Sequence, residues 1–217
     1  DIPHNQLTKA EKDTGWKLLF DGQSTTGLRN YNQETLSGKW QAQNGTLTFN
    51  PEASGAGGDV VITDKPYENY ELSLEWKISS GGNSGIIYHV VEDEQYEYPW
   101  LTGMENQILD NERHPDGQIE KHRSGDLYDM IETKFVTVNP ANEWNSVILK
   151  VKDNHVEHWL NGYKVVEYEL GDNTWKAMVA GSKFSEMPDF GKAKQGHITL
   201  QDHGNSVWFR NIKIREL

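Results

Sequence analysis

Trp144-Asn145-Ser146-Val147-Ile148-Leu149-Lys150-Val151, the pair Asp153-Asn154, His155-Val156-Glu157-His158-Trp159-Leu160, the pair Asn161-Gly162, and Tyr163–Leu170: this run decides the fold class. Two apolar-rich segments of strand length flank Asp153-Asn154, and a third follows Asn161-Gly162. Asn-Gly between alternating segments is a hairpin signal, because both residues tolerate the left-handed backbone that a two-residue turn needs. Turn chemistry alone therefore predicts three consecutive antiparallel strands. Alternation puts His155, Glu157 and Trp159 on one face and Val156 and Leu160 on the other.

The same pattern extends in both directions. Toward the N-terminus, Asn44-Gly45 joins the segments Gly38–Gln43 and Thr46–Phe49. In Tyr70–Ile78, Tyr70, Leu72, Leu74, Trp76 and Ile78 alternate with polar residues, the mark of a half-buried strand. Asn83–Val91 is apolar on both faces and predicts a central strand, whereas Trp16–Phe20 is a short strand closed by Asp21-Gly22. Toward the C-terminus, His197–His203 and Val207–Arg215 complete the set. Thr8 with Glu11 three residues on predicts a capped short helix. Glu92–Thr102, Glu112–Ser124 and Trp175–Gly196 read as long loops, the last with room for one helical turn. No helix of three turns is expected. Many short strands with turn signals between them predict an all-β sandwich of two antiparallel sheets, one domain over residues 1–217 with 1–14 as an N-terminal extension.

The chain has 217 residues, 35% hydrophobic and 11% aromatic, with eight Trp, nine Tyr and no Cys. The absence of cysteine excludes disulfides, thiolate metal sites and a cysteine nucleophile. A net charge of −12 argues against nucleic acid or anionic lipid as partner and suits a neutral or cationic small molecule. No run reaches the roughly 18 apolar residues of a membrane-spanning segment. The start at Asp1-Ile2-Pro3 reads as a processed or trimmed end, which a removed signal peptide would explain. Asn44-Gly45-Thr46 has the form of a glycosylation acceptor, but its turn role suffices. The glycine run Ser54–Gly58 lacks the Lys-Ser/Thr and the following helix of a phosphate cradle.

The chemistry is expected in Gly103-Met104-Glu105-Asn106-Gln107-Ile108-Leu109-Asp110-Asn111. On a strand, Glu105 and Gln107 share a face roughly 7 Å apart and can hold one ligand between them, while Met104 and Ile108 face the core. Asp110 falls on the core side unless a bulge near Leu109 turns it round. His197, Thr199, Gln201 and His203 form a second polar stripe, and His155, Glu157 and Trp159 a third. If the three stripes meet in one groove, Trp159 would stack on a sugar ring, the amides would bind hydroxyls and a carboxylate would move protons. Glu105, His155 and His203 could likewise converge on one divalent metal ion. Taken singly, each stripe is equally what the outer face of an antiparallel sheet looks like.

The set of motifs resembles the 3-keto-disaccharide hydrolase family, long known as a domain of unknown function (1080), within the concanavalin-like lectin/glucanase superfamily. The motifs are Gly15-Trp16-Lys17-Leu18-Leu19-Phe20-Asp21-Gly22, Gly82-Asn83-Ser84-Gly85-Ile86, Glu105-x-Gln107-Ile108-Leu109-Asp110-Asn111, Gly125-Asp126-Leu127-Tyr128 and Glu143-Trp144-Asn145. His158-Trp159-Leu160-Asn161-Gly162, Leu200-Gln201-Asp202-His203-Gly204 and Val207–Ile212 follow in the family's order, from about residue 15 to 217. The resemblance implies a concanavalin-like jelly-roll, export to the periplasm or secretion, and action on 3-keto-glycosides. It implies Glu105 or His203 as base, Tyr128 as donor to the leaving oxygen, and Asn83, Gln107 and Gln201 on hydroxyls. Trp159 would be the platform, and Asp110 and Asp202 would orient partners. His89, where the family often has Arg, is a further substrate-facing candidate, and Asn106 replaces a commonly bulky residue. Sandwich glycosidases also carry Glu-x-Asp-x-x-Glu; Glu105-x-Gln107-x-x-Asp110 has the spacing with an amide at its centre. A non-catalytic carbohydrate-binding module and a conventional two-carboxylate hydrolase using Glu105 and Asp110 are the competing readings.

Overall fold

At each of the three tight turns, both central residues take the left-handed backbone that the sequence predicts. The φ values are 52° and 74° at Asn44-Gly45, 50° and 70° at Asp153-Asn154, and 51° and 86° at Asn161-Gly162. Such turns match the twist of the strands they join. The computed structural model describes residues 3–217; Asp1 and Ile2, at the start read as processed, lie outside the described residues.

Thirteen strands follow from these and the longer connections: β1 (Lys17–Leu18), β2 (Arg29–Asn30), β3 (Trp40–Gln43), β4 (Thr46–Phe49), β5 (Val60–Val61), β6 (Tyr70–Ile78) and β7 (Asn83–Val90). The rest are β8 (Met104–Leu109), β9 (Asn145–Lys152), β10 (His155–Leu160), β11 (Tyr163–Glu169), β12 (His197–Leu200) and β13 (Val207–Glu216). Helix α1 (Lys9–Asp13) carries the expected Thr8–Glu11 capping box. Helix α2 (Asn173–Ala180) starts at Asp172, whose side chain accepts from the Trp175 N–H. A 3-10 turn at Lys183–Glu186 comes next.

The larger sheet runs β11-β10-β9-β6-β13-β4-β3, with β1 paired to β13, and the smaller runs β2-β5-β12-β7-β8. All pairings are antiparallel. The two sheets form the expected all-β jelly-roll sandwich. Its core takes the inner faces of both, with Trp76, Leu72 and Leu149 from the larger sheet and Ile86, Met104 and Ile198 from the smaller. Tyr88 and His158 meet there through a 2.8 Å hydrogen bond, His158 also reaches the Gly125 carbonyl, and Tyr168 bonds Tyr88 at 2.5 Å. Burial holds the His158 imidazole neutral, its pKa lowered to about 4.

The outer face of the larger sheet is solvated, and Glu71–Arg215 and Glu75–Arg210 pair there across β6 and β13. The smaller sheet differs: β7 and β8 are buried at every position. Its outer face is roofed by the segments that the sequence shows only as loops. Tyr31, Val61, Ile87 and Val90, with Trp100, form a second apolar cluster under that roof. Where the roof is incomplete, a cavity of about 630 Å³ opens.

Candidate active site

The cavity is lined by polar groups from four strand ends and by an aromatic roof. Asn83, Glu105, Gln107 and Gln201 come from the smaller sheet and its exits, and Tyr128 and His203 from the loops beside it. With Asp202, which also lines it, the structure thus brings together seven of the expected site residues. Asp59, Lys183, Tyr31, Tyr98 and Trp100 line it too.

Glu105 is strongly perturbed. It is 7% exposed, and among the described residues no protein donor bonds its carboxylate. Burial pushes its pKa up to about 8; Lys183 works against this shift and Asp59 adds to it. Its seat is made by an absence. Gly85 pairs with Gln107 on the neighbouring strand, and a Cβ there would stand 2.9 Å from Glu105 Cδ and 3.0 Å from Cγ, closer than ordinary contact at 3.4 Å. The carboxylate therefore lies over bare backbone.

Strand β8 also sets its surroundings. Residues 125–128 lie alongside it: Gly125 N–H donates to Gln107 O, Gln107 N–H to Asp126 O, and Tyr128 N–H to Glu105 O. Gln107 Nε2 donates to His122 O at 3.1 Å, so this amide also pins the loop. Asp129 accepts from His122 Nε2 at 2.9 Å and from the Lys183 N–H at 2.8 Å, joining that loop to the 3-10 turn. As a result Lys183 Nζ stands 4.0 Å from the centre of the Tyr128 ring. Burial, with Glu105, Asp116 and Asp129 nearby, raises the Tyr128 phenol well above its ordinary range.

On the opposite side, Asp59 Oδ1 accepts the Asp202 N–H at 2.7 Å. Asp202 is fixed in turn by the N–H groups of Gly58 at 2.8 Å and Gly204 at 2.9 Å. Asp59 keeps some open surface toward the cavity, but protein packs closely around it and raises its pKa to about 7; the bond from Asp202 opposes the rise and the Asp202 charge adds to it. Between the two carboxyls, the side-chain oxygens of Asn83 and Gln201 are buried without a partner. Both side chains line the cavity, and an amide left without partners is what the hydroxyls of a ligand would pair.

Four expected residues stand elsewhere. Trp159 and His155 are on the outer face of the larger sheet, where period-two alternation in β10 puts them; Trp159 Nε1 donates to Glu157 at 2.8 Å. The third polar stripe therefore belongs to a solvated face, and the trio Glu105, His155 and His203 cannot share an ion. Among the described residues, His155, Glu157 and Glu167 are the one His/Asp/Glu group with ligand atoms within 4.8 Å of one another, and Lys164 already sits on both glutamates there. Asp110 is not turned toward the cavity, since the β7–β8 register runs unbroken from Asn83↔Leu109 to Tyr88↔Met104. Its carboxylate accepts from the Gly81, Glu112 and Arg113 N–H groups beside a separate hollow of about 110 Å³. His89 is drawn away by a bulge: Tyr88 and His89 stand against Ile198 alone between the pairs Ile87↔Thr199 and Val90↔His197. Its φ is 57°, and its Nδ1 donates to Ala193 O at 3.2 Å. Burial lowers its pKa to about 4.

Sequence reasoning missed Asp59, Lys183 and the Tyr98–Trp100 pair. Asp59 had a signal, a lone acid entering the apolar strand Val60–Val61 straight after a glycine run. Tyr98 and Trp100 stack with centroids 5.0 Å apart, but they and Lys183 lie in segments without periodicity.

Comparison with known proteins places this cavity in context. A 3-keto-disaccharide hydrolase of Bacteroides thetaiotaomicron is 34% identical, over 94% of this chain and 79% of that protein. A crystal structure from Parabacteroides distasonis, provisionally named a glycosyl hydrolase, is 36% identical and superposes with a TM-score of 0.91 over 99% of this chain and 100% of that one. A second from the same organism, named in the same way, is 28% identical with a TM-score of 0.67 over 93% and 99%. A carbohydrate-binding module of Bacillus subtilis, 10% identical with a TM-score of 0.52 over 94% and 96%, shares the fold alone. The family model described as 3-keto-alpha-glucoside-1,2-lyase-like domain matches residues 15–215, and the chain belongs to that family.

Proposed function

We propose that the protein cleaves 3-keto-glycosides by removing the proton at C2 and eliminating the group at C1, with water added back afterwards. The family and its relatives support a glycosyl hydrolase type of enzyme. The finer reading is carried by one observation, the Glu105 carboxyl: buried, unbonded, raised to about 8 and facing the cavity.

A ketone at C3 acidifies the neighbouring C2–H, so a carboxylate of raised basicity suffices to take it. The charge then moves to the C3 oxygen, and groups already oriented toward that position stabilise it without reorganising. Lys183 and the amide N–H groups of Asn83 and Gln201 are the donors that the cavity lining offers for this. Tyr98 and Trp100 take the platform role at the mouth that Trp159 cannot serve. The departing oxygen needs a proton, and two groups in the cavity could give it, Tyr128 and Asp59. No step of this scheme runs through a divalent ion; participation of one would show as turnover lost with a chelator and regained on adding metal.

A nitrophenyl glycoside and its 3-keto form, assayed side by side with and without chelator, test the proposal. Turnover confined to the keto sugar is expected. Equal turnover of both would point to conventional hydrolysis, and binding without turnover to a binding module. Glu105→Gln should remove turnover while keeping substrate binding, and a parental rate would take Glu105 out of the mechanism.

A further inference from the structure

We propose that Asp59 is the second catalytic carboxyl of the cavity, the group that gives its proton to the departing glycosidic oxygen and then takes one from the incoming water. The inference rests on the keto-glycoside reading above and adds the partner that reading leaves open.

The sheet register carries it. One row across the smaller sheet is Val61, Thr199, Ile87 and Glu105. The next row holds Asp59, Gln201, Gly85 and Gln107, with Gly85 paired to Gln107 and the Gln201 N–H donating to Gly85 O. Both rows are on the cavity face, since residues two apart along a strand share a side. Adjacent strands are roughly 4.8 Å apart, which puts the Asp59 backbone about 10 Å from Gly85. Glu105 leans over Gly85, so the two carboxyls approach the space above Gln201 from opposite sides. Two carboxyls reaching inward over backbones this far apart leave a gap between them, and in inverting glycosidases such a gap, roughly 6.5–9.5 Å, holds the water.

Asp59 is also held for the task. Oδ1 takes the Asp202 N–H, and among the described residues Oδ2 has no protein partner. Asp202 is locked by two glycine N–H groups, and a Cβ at Gly57 would collide with its carboxylate. Tyr128 is the weaker choice. Its phenol is buried beside Glu105 and raised far above neutrality, so it cannot cheaply become the phenolate that would activate water. A carboxyl near 7 can both give and take a proton at neutral pH.

The steps balance. Ionised Glu105 takes the C2 proton, and the C2–H electron pair moves onto the C3 oxygen through a C2=C3 double bond. That pair returns to form C1=C2 as the C1–O bond breaks, and protonated Asp59 gives its proton to the departing oxygen. Water then loses a proton to Asp59 as its oxygen bonds C1, the C1=C2 pair shifts back toward C3, and Glu105 returns its proton to C2. One glycoside and one water give one keto sugar and one alcohol, and both carboxyls end as they began.

The test is Asp59→Asn on two 3-keto-glycosides, one with a sugar and one with a nitrophenolate leaving group. Cleavage of the sugar leaving group should fall roughly 100-fold or more. Nitrophenolate leaves without a proton, so its release should fall less than about tenfold. The unsaturated keto sugar should then accumulate in place of its hydrate. Equal losses for both leaving groups, or hydrated product formed at the parental rate, would overturn the inference. Asp59→Glu keeps a carboxyl displaced by one methylene and should show the same difference between leaving groups; it carries the test if Asp59→Asn does not fold. Parental enzyme that turns over the ordinary nitrophenyl glycoside as fast as its 3-keto form would instead remove the keto-glycoside reading itself.

Discussion

Gly85→Ala tests the seat of Glu105 without touching the carboxyl. The added Cβ would stand 2.9 Å from Glu105 Cδ and 3.0 Å from Cγ, against an ordinary contact of 3.4 Å, and nearer still to Oε1. No left-handed backbone is involved, because φ at Gly85 is outside that region. The far end of the glutamate must therefore swing by about 1 Å, and a misplacement of that size costs on the order of 100-fold in rate. The fold should tolerate the change, because the atoms met are the end of a flexible side chain facing a cavity. Overpacking of about 1 kcal/mol corresponds to a melting point lower by roughly 2–4 °C. The assay is kcat/KM on a 3-keto-glycoside, with a melting curve recorded on the same preparation. A variant that melts like the parent and also turns over like the parent would refute the claim that the carboxylate works from above Gly85.

Further outcomes follow from the same geometry. Glu105 must be ionised to act, and burial raises its pKa to about 8; on a 3-keto-glycoside whose nitrophenolate leaving group needs no proton from Asp59, kcat/KM should therefore fall about tenfold per unit as pH drops below that value, and a rate flat from pH 6 to 9 would contradict the assignment. A carboxyl whose folded pKa lies above its unfolded one weakens the fold as pH rises from about 4.5 toward 8. Glu105→Gln should accordingly melt higher than the parent at pH 8, by several degrees, and an equal or lower melting point would argue against an unpaired buried charge. Trp159→Ala should leave kcat/KM within about twofold, because its ring lies on the outer face of the other sheet, whereas Trp100→Ala should raise KM through loss of the mouth platform. His158→Leu leaves the Tyr88 hydroxyl and the Gly125 carbonyl short of a partner inside the core. It should cost roughly 2–4 kcal/mol, read from urea unfolding, and a loss under about 1 kcal/mol would mean that the network contributes little.

The sandwich was legible because its signals are local. Asn44-Gly45, Asp153-Asn154 and Asn161-Gly162 specify their turns within two residues, and the alternation in Tyr70–Ile78 names its buried face directly. The pairing of Glu105 with Gln107 on one face followed from the same period. What the sequence could not convey is which sheet a strand joins. Trp159 and Glu105 each head a polar stripe of similar composition, yet β10 belongs to the solvated larger sheet and β8 to the roofed smaller one. Alternation reports that a side chain faces away from the core and is silent on whether that side is water or a cavity. His89 fails for a related reason: a single bulge, invisible in composition, exchanges the face it would have had.

The roof explains why an acidic chain can carry a base of raised pKa. On an open sheet Glu105 would be solvated and its pKa would stay near that of a free glutamate, too low for useful basicity toward carbon. Loop 112–131 and the turn at Lys183 exclude water from it, and they are held in place by side chains rather than by strand pairing alone. Gln107 holds the loop through His122 O, Asp129 joins His122 to the Lys183 backbone, and Asp126 accepts the N–H groups of Arg123 and Thr133 at 2.7 Å. Sequence patterning does not show these ties, because the backbone partners lie anywhere from three to 54 residues away and none keeps a period. Asp129→Ala should therefore act at a distance. With both its bonds gone, Lys183 loses its tie to the loop and water reaches Glu105; burial is the larger influence and the Lys183 charge the smaller, opposing one, so the acid limb of the pH profile should move below about 8 toward the ordinary glutamate range. A limb that stays in place while activity falls would assign Asp129 to holding substrate instead of excluding water.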